Sequence, residues 1–277
     1  LAARIQAEGE NTPADVVLTV DIARLMSYAN KKLLAPVNSK ILLSNIPKHL
    51  RASDNSWFAF SKRARVIAIS RDRVNLSELE RVEDLTAAKW NGRICTRPGS
   101  HVYNRSLLAS IINANGAVEA EKWARGLVNN LARRPQGNDR AQIKAIHSGE
   151  CDLGLVNNYY YGKLLNSKVE EQRQWAKSVR LVFMNQKDRG NHVNISGGGL
   201  VKYSKNRENG IKLLEFLTGE VAQKLYGEIN FEYPVNPAVG LSEDLKTWGE
   251  FKEDTVSIEK IAELARESQK IIDRSGW

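Results

Sequence analysis

The stretch ADVVLTVD at 14–21, running directly into IARLMSYANK at 22–31, decides the fold class. Its first half is a short β-branched run, the composition of a strand, and it ends on Asp21. In the second half Ile22, Leu25 and Met26 recur at helical spacing, so the chain turns from strand to helix with a carboxylate at the cap. A strand feeding a capped helix is the basic unit of an α/β lobe.

The same unit recurs outward from there. RVIAIS (65–70) and NGRICT (91–96) read as strands, and Pro98-Gly99-Ser100 supplies a turn. A helix follows over YNRSLLASIINANG, with Leu107, Leu108, Ile111 and Ile112 on one face and Gly116 as its stop. AVEAEKWARGLVNNLAR and RAQIKAIHSGE are further helices, DLGLVNN and VRLVFMN further strands, and ISGGGLVKYS carries three glycines before an apolar run. Helices over ENGIKLLEFLTG, EVAQKLYGEIN and SIEKIAELARESQKIIDRSG complete the chain. Strands alternating with helices predict parallel sheets flanked by helices rather than an all-β or bundle fold. No repeat of 20 to 50 residues and no linker is visible. At 277 residues two lobes are expected, joined by strands that cross between them and leave a hinge and a cleft.

Bulk composition narrows the function. The chain is 42% hydrophobic and 26% charged, which is globular rather than disordered. No window of 18 apolar residues occurs, which argues against a spanning helix. The sequence opens on Leu1 inside an apparent helix and is read as a fragment or processed product. A net charge of +9 admits nucleic acid or an anionic ligand, but Lys and Arg alternate with Asp and Glu and no nucleic-acid motif stands out, so a solvated basic surface is the reading. Cys95 and Cys151 each lie beside an apolar run. A bridge and two buried thiols are both compatible with that placement.

The residues that could carry chemistry are tyrosines. Asn157-Asn158-Tyr159-Tyr160-Tyr161-Gly162 lies where an apolar strand gives way to a helix. Adjacent side chains diverge on a strand and on a helix alike, so two neighbouring tyrosines serve one ligand most easily at such a turn. Phenolate is a hard anionic donor, suited to Fe(III) more than to zinc or copper; aromatic packing or a stacking platform is the alternative. Tyr103 in SHVYNRS sits at an equivalent place, the start of a helix after a strand. His49, His101, His147 and His192 show no zinc-site spacing, no GxSxG or P-loop occurs, and Gly197-Gly198-Gly199 lacks the context of a dinucleotide site. No nucleophile–base pair supports an enzyme.

PADVVLTVD, GRICTRPGSHVYNRSLLAS, RPQGNDRAQIKAI, NNYYYGKLL, HVNISGGGLVKYSKN and KLLEFLTGEVAQKLYGEINFEYPVNP resemble the ferric-ion-binding periplasmic proteins of bacterial ABC iron transporters, in their tyrosine-rich subtype, over essentially the whole chain. The resemblance implies an α/β, type II periplasmic-binding-protein-like fold of two lobes with a hinge and a ligand cleft. Residues 1–70 and 190–240 are expected in the N-terminal lobe, and 71–189 and 241–277 in the C-terminal lobe that carries the tyrosines. It implies Fe(III) ligation by Tyr103, Tyr159 and Tyr160, with Tyr161 in packing and Asp21, where another subtype has a glutamate ligand, as a helix cap. A synergistic anion such as carbonate is allowed, with Arg97 or Arg105 as candidates beside ordinary salt-bridge roles. Family members also carry a His-Tyr or similar pair on a first strand expected upstream of Leu1. The implied partners are ferric iron and an inner-membrane ABC permease, with no nucleic acid, for a monomer in the periplasm. An oxidising periplasm implies a Cys95–Cys151 bridge. Capture of a small organic ligand or oxyanion on the same fold, or of a polyanion, are the rival readings.

Overall fold

The structure is a computed structural model and describes residues 1–277. In chain order the elements are α1 (Ala2–Glu8), β1 (Val16–Val20), α2 (Ile22–Asn30), β2 (Leu34–Ala35), α3 (Lys40–Asn45), β3 (Phe58–Ser70), β4 (Ile94–Cys95), α4 (Val102–Asn129), α5 (Asp139–His147), β5 (Leu153–Asn157), α6 (Asn158–Leu165), α7 (Glu170–Lys177), β6 (Val179–Val182), β7 (Val193–Val201), α8 (Arg207–Thr218), α9 (Glu220–Glu228), β8 (Tyr233–Pro234), α10 (Glu243–Thr247), α11 (Ile258–Glu263) and α12 (Ala265–Ser275).

The chain divides into two compact units, the first comprising residues 1–63, 194–246 and 257–262, the second 64–193, 247–256 and 263–277. The divisions at 63/64 and 193/194 fall inside β3 and at the start of β7, a few residues from the sequence-based positions 70 and 190. The tail alternates between units, where the sequence reading kept 241–277 together.

In the first unit β1 and β2 both pair antiparallel with β7, Leu18 opposite Gly198 and Leu34 opposite Val201, and β8 pairs antiparallel with the first half of β3. Asp21 caps α2: it accepts the Ala23 N–H at 3.0 Å and the Asn194 side-chain N–H at 3.0 Å. That is the cap expected of it.

In the second unit the latter half of β3 is flanked antiparallel by β5 and by β6, with Ile67 opposite both Leu155 and Val182. β4 runs parallel to β5. Most pairings are therefore antiparallel, which corrects the expectation of parallel sheets. Alternation of strand and helix fixes the direction only of strands joined by a crossover helix, as β4 and β5 are; β3 and β7 are long strands that enter the sheets from the opposite direction. A core of Ile67, Ile69, Leu85, Trp90, Leu107, Leu108, Ile111, Leu127, Leu153, Leu155 and Ile271 holds this unit together. Gly116 does interrupt α4, at φ 82° and ψ 160°, the backbone state that glycine adopts without strain. No helix is long and apolar enough to cross a membrane.

Candidate functional site

Three elements of the second unit build the tyrosine cluster. β5 ends at Asn157, whose extended backbone (φ −84°, ψ 140°) makes it the N-cap of α6, and Tyr159, Tyr160 and Tyr161 occupy the first turn and a half of that helix. Tyr103 stands in the first turn of α4, where its own N–H donates to the ring nitrogen Nδ1 of the N-cap His101 at 3.3 Å. Both helices thus present tyrosines at their N-terminal ends, directly after strands or turns.

The structure brings all three expected residues together. The hydroxyls of Tyr103 and Tyr159 are 3.1 Å apart, and the rings of Tyr159 and Tyr160 lie 4.3 Å apart at 31°. Tyr103 and Tyr159 are buried, each 8% exposed, and Tyr160 is half-buried. Tyr161 points elsewhere, packing edge-on against Trp248 at 5.7 Å. Burial, then the neighbouring Tyr103 and Tyr160, push the Tyr159 phenol well above its usual range, so in the absence of a cation this hydroxyl keeps its proton. Cationic groups face the rings: Arg97 lies 5.2 Å and Arg65 6.0 Å from the Tyr103 centroid, Lys163 5.3 Å from that of Tyr159, and Arg140 5.8 Å from that of Tyr160.

Beneath the tyrosines lies a buried polar network that the sequence did not disclose. Arg65, on β3, donates from Nη1 to Asp139 Oδ2 at 2.6 Å and to Asn157 Oδ1 at 3.2 Å, and from Nη2 to Asn104 Oδ1 at 2.7 Å. Asp139, the first residue of α5, also accepts from the Asn157 N–H at 2.8 Å and from Arg97 Nη1 at 3.1 Å. Its place in the first turn of a helix favours the negative charge. Asn157 has given its side chain to Arg65 and makes no capping hydrogen bond to α6. Removing Asp139 leaves Arg65 buried without its only carboxylate partner, which costs about 3–5 kcal/mol, whereas removing Arg65 leaves Asp139 with Arg97 alone. The signal was present but weak: a charged residue opening the strand RVIAIS, and an Asn-Asp pair before a helix.

Of the two arginines considered as anion partners, Arg97 is held by Asp139 and lies 5.2 Å from the Tyr103 ring, whereas Arg105 reaches Gln269 from Nη1 at 3.4 Å; each keeps a buried Nε without a protein partner. The cysteines are joined: a Cys95–Cys151 disulfide, Cα atoms 5.9 Å apart, ties β4 to the segment that enters β5.

Hard oxygen donors clustered on a mixed α/β scaffold define the class, a binding protein of type II periplasmic-binding architecture. Residues 11–253 match the family model for bacterial extracellular solute-binding proteins, and the chain belongs to that family. It is 47% identical over 277 residues to iron uptake protein A1 of Synechocystis sp., covering all of this chain and 77% of that protein. With the major ferric iron-binding protein of Neisseria meningitidis serogroup B it shares 27% identity over 278 residues, again over all of this chain and 82% of the relative. Among solved structures, the Trichodesmium protein IdiA (FutA) in complex with iron and citrate ligands superposes with a TM-score of 0.95 at 46% identity, over 100% of this chain and 87% of that one. The apo ferric ion-binding protein A of Pasteurella haemolytica does so with a TM-score of 0.95 at 43% identity, over 100% and 86%.

Proposed function

We propose that this protein captures Fe(III) outside the cytoplasm through the phenolate oxygens of Tyr103, Tyr159 and Tyr160 and delivers it to an ABC permease. The observation that carries the reading is the 3.1 Å approach of the Tyr103 and Tyr159 hydroxyls with the Tyr160 ring tilted against that of Tyr159 at 4.3 Å. Two neutral phenols at that distance gain one hydrogen bond. Two phenolates there repel, and a trivalent cation between or beside them removes the repulsion and satisfies hard oxygen donors. Relatives named for iron uptake and ferric iron binding, and a solved neighbour holding iron and citrate, support the same cargo. Binding, not catalysis, is the proposed activity, and the protein acts as a monomer.

Iron is the cargo here, and the protein supplies donors and a pocket floor. Arg97, whose guanidinium lies 5.2 Å from the Tyr103 ring, is the cation that would hold a small synergistic anion such as carbonate next to Tyr103. Titration with Fe(III) supplied as its citrate complex tests the reading. A visible tyrosinate-to-iron charge-transfer band should grow to saturation, and unchanged iron affinity in Tyr159→Phe and Tyr160→Phe would end the proposal.

A further inference from the structure

Arg65 approaches the tyrosine cluster from below, and its three side-chain hydrogen bonds go to groups that anchor the helices carrying Tyr103 and Tyr159. Nη2 holds Asn104, the residue after Tyr103, at 2.7 Å; Nη1 holds Asn157, two residues before Tyr159, at 3.2 Å. Through Asp139 it is tied to Asn157 a second time, because the same Oδ2 that accepts from Arg65 also accepts from the Asn157 N–H. Asn104 in turn donates to the Arg97 carbonyl at 3.0 Å and the Pro98 carbonyl at 3.2 Å, which fixes the loop leading into α4. One guanidinium therefore fastens the start of α4 to the start of α6.

We infer that Arg65 is a positioning residue for iron binding, the group that sets the separation of the Tyr103 and Tyr159 hydroxyls. The inference rests on the proposed role of these tyrosines. A guanidinium suits the task because two of its nitrogens present donors in one rigid plane to Asp139, Asn157 and Asn104 together. Lysine would bring the same charge to a single nitrogen and could not span these acceptors. Arg65 is 4% exposed, so the geometry it imposes is not loosened by solvent. Groups that orient metal ligands without touching the metal are worth roughly 10–100-fold in affinity, and Arg65 holds two of the three.

The test compares wild type, Arg65→Lys, Asn104→Ala and Tyr103→Phe, and each of the first two variants combined with Tyr103→Phe. Iron is supplied as Fe(III) citrate, with charge-transfer absorbance per bound iron, affinity by citrate competition and apo melting temperature recorded. In Arg65→Lys the band should fall to the Tyr103→Phe level and affinity should drop roughly 10–100-fold. Adding Tyr103→Phe should then cost little more, the non-additivity of residues acting through one contact. A lowered melting temperature with a full-strength band, or losses that simply add in the double variant, would show Arg65 to be structural only and overturn the inference. Asn104→Ala removes the same anchor while keeping the buried charge, and decides by the same criteria if Arg65→Lys does not fold. Absence of the band in wild type defeats the iron reading itself; a wild-type band that Arg65→Lys leaves unchanged defeats this inference alone.

Discussion

The hydroxyls of Tyr103 and Tyr159 meet at 3.1 Å although 56 residues separate them in the chain, and two phenolates at that distance would repel each other. Burial and the two neighbouring tyrosines raise the Tyr159 phenol above its usual value near 10. At neutral pH Tyr159 is therefore protonated in the iron-free protein, and Fe(III) must displace that proton to be ligated by it. Affinity should fall as pH falls, by about one decade per pH unit for each phenol proton released. Competition titrations at several pH values measure that slope. A second consequence has the opposite sense. Because the folded state holds the Tyr159 proton more tightly than the unfolded chain, its contribution to iron-free stability is complete below about pH 10 and is lost as pH rises through the folded value. Alkaline unfolding of the iron-free protein should accordingly be blunted in Tyr159→Phe.

The three tyrosines of the run should separate cleanly by substitution. Tyr159→Phe and Tyr160→Phe are each expected to lower iron affinity by more than about 100-fold, beyond what loss of an orienting partner costs, and Tyr103→Phe to lower it with a weakened charge-transfer band. Tyr161 packs on Trp248, so Tyr161→Phe should keep both affinity and band. Parallel titrations of the four variants check the pattern, and a Tyr161→Phe protein that loses its band would reassign the ligands.

The tyrosine run was readable because its signal is local, adjacent tyrosines directly after an apolar strand, whereas its joining with Tyr103, at an equivalent turn 56 residues away, followed only from the family resemblance. The packing beneath it was not readable. Arg65, Asp139, Asn104 and Asn157 come from β3, α5, α4 and β5, and their meeting depends on tertiary pairing that no window of sequence reports. For the same reason the strand RVIAIS was read from 65, while β3 begins at Phe58: Lys62 and Arg63 interrupt its apolar pattern, yet Arg63 is buried, donating to Ser196 Oγ at 3.0 Å. Burial of a charge within reach of partners is invisible to hydrophobic periodicity. Strand direction escaped for a different reason, since alternation of elements does not say which long strand returns against the others.

The disulfide should matter for stability more than for ligand chemistry. Cys95 and Cys151 are 56 residues apart, and closing a loop of that size restricts the unfolded chain by about 4 kcal/mol in the chain-entropy account. The double variant Cys95→Ala/Cys151→Ala should lose stability of this order in denaturant unfolding monitored in the second unit, for instance through Trp90 and Trp123. Iron binding measured well below the unfolding midpoint should be altered far less, because the hydrogen bonds that join Tyr103 to Tyr159 and anchor their helices through Arg65 involve neither cysteine. A double variant as stable as wild type would show that the unfolded chain is already constrained there.

The glycine triplet in ISGGGLVKYS has a packing explanation that bears on a final prediction. A Cβ added at Gly197 would sit 2.5 Å from the Phe58 carbonyl oxygen and 3.1 Å from Leu25; at Gly198 it would overlap the Val17 carbonyl oxygen, and at Gly199 that of Ser56. The three carbonyl oxygens are backbone, which cannot swing aside as the Leu25 side chain can, so β7 lies against its surroundings at a distance only glycine permits. Ordinary overpacking costs about 1–3 kcal/mol, and an overlap with backbone belongs at or above the top of that range. Gly198→Ala should therefore strongly destabilise the first unit, with β1 losing its register against β7, where Leu18 faces Gly198. Hydrogen exchange should show protection lost in β1 and β7 while the amides of β5 and α6, in the second unit, keep theirs. Gly240→Ala, where nothing lies within 4 Å of the added carbon, serves as the control and should leave exchange unchanged; equal effects of the two substitutions would remove close packing as the reason for the triplet.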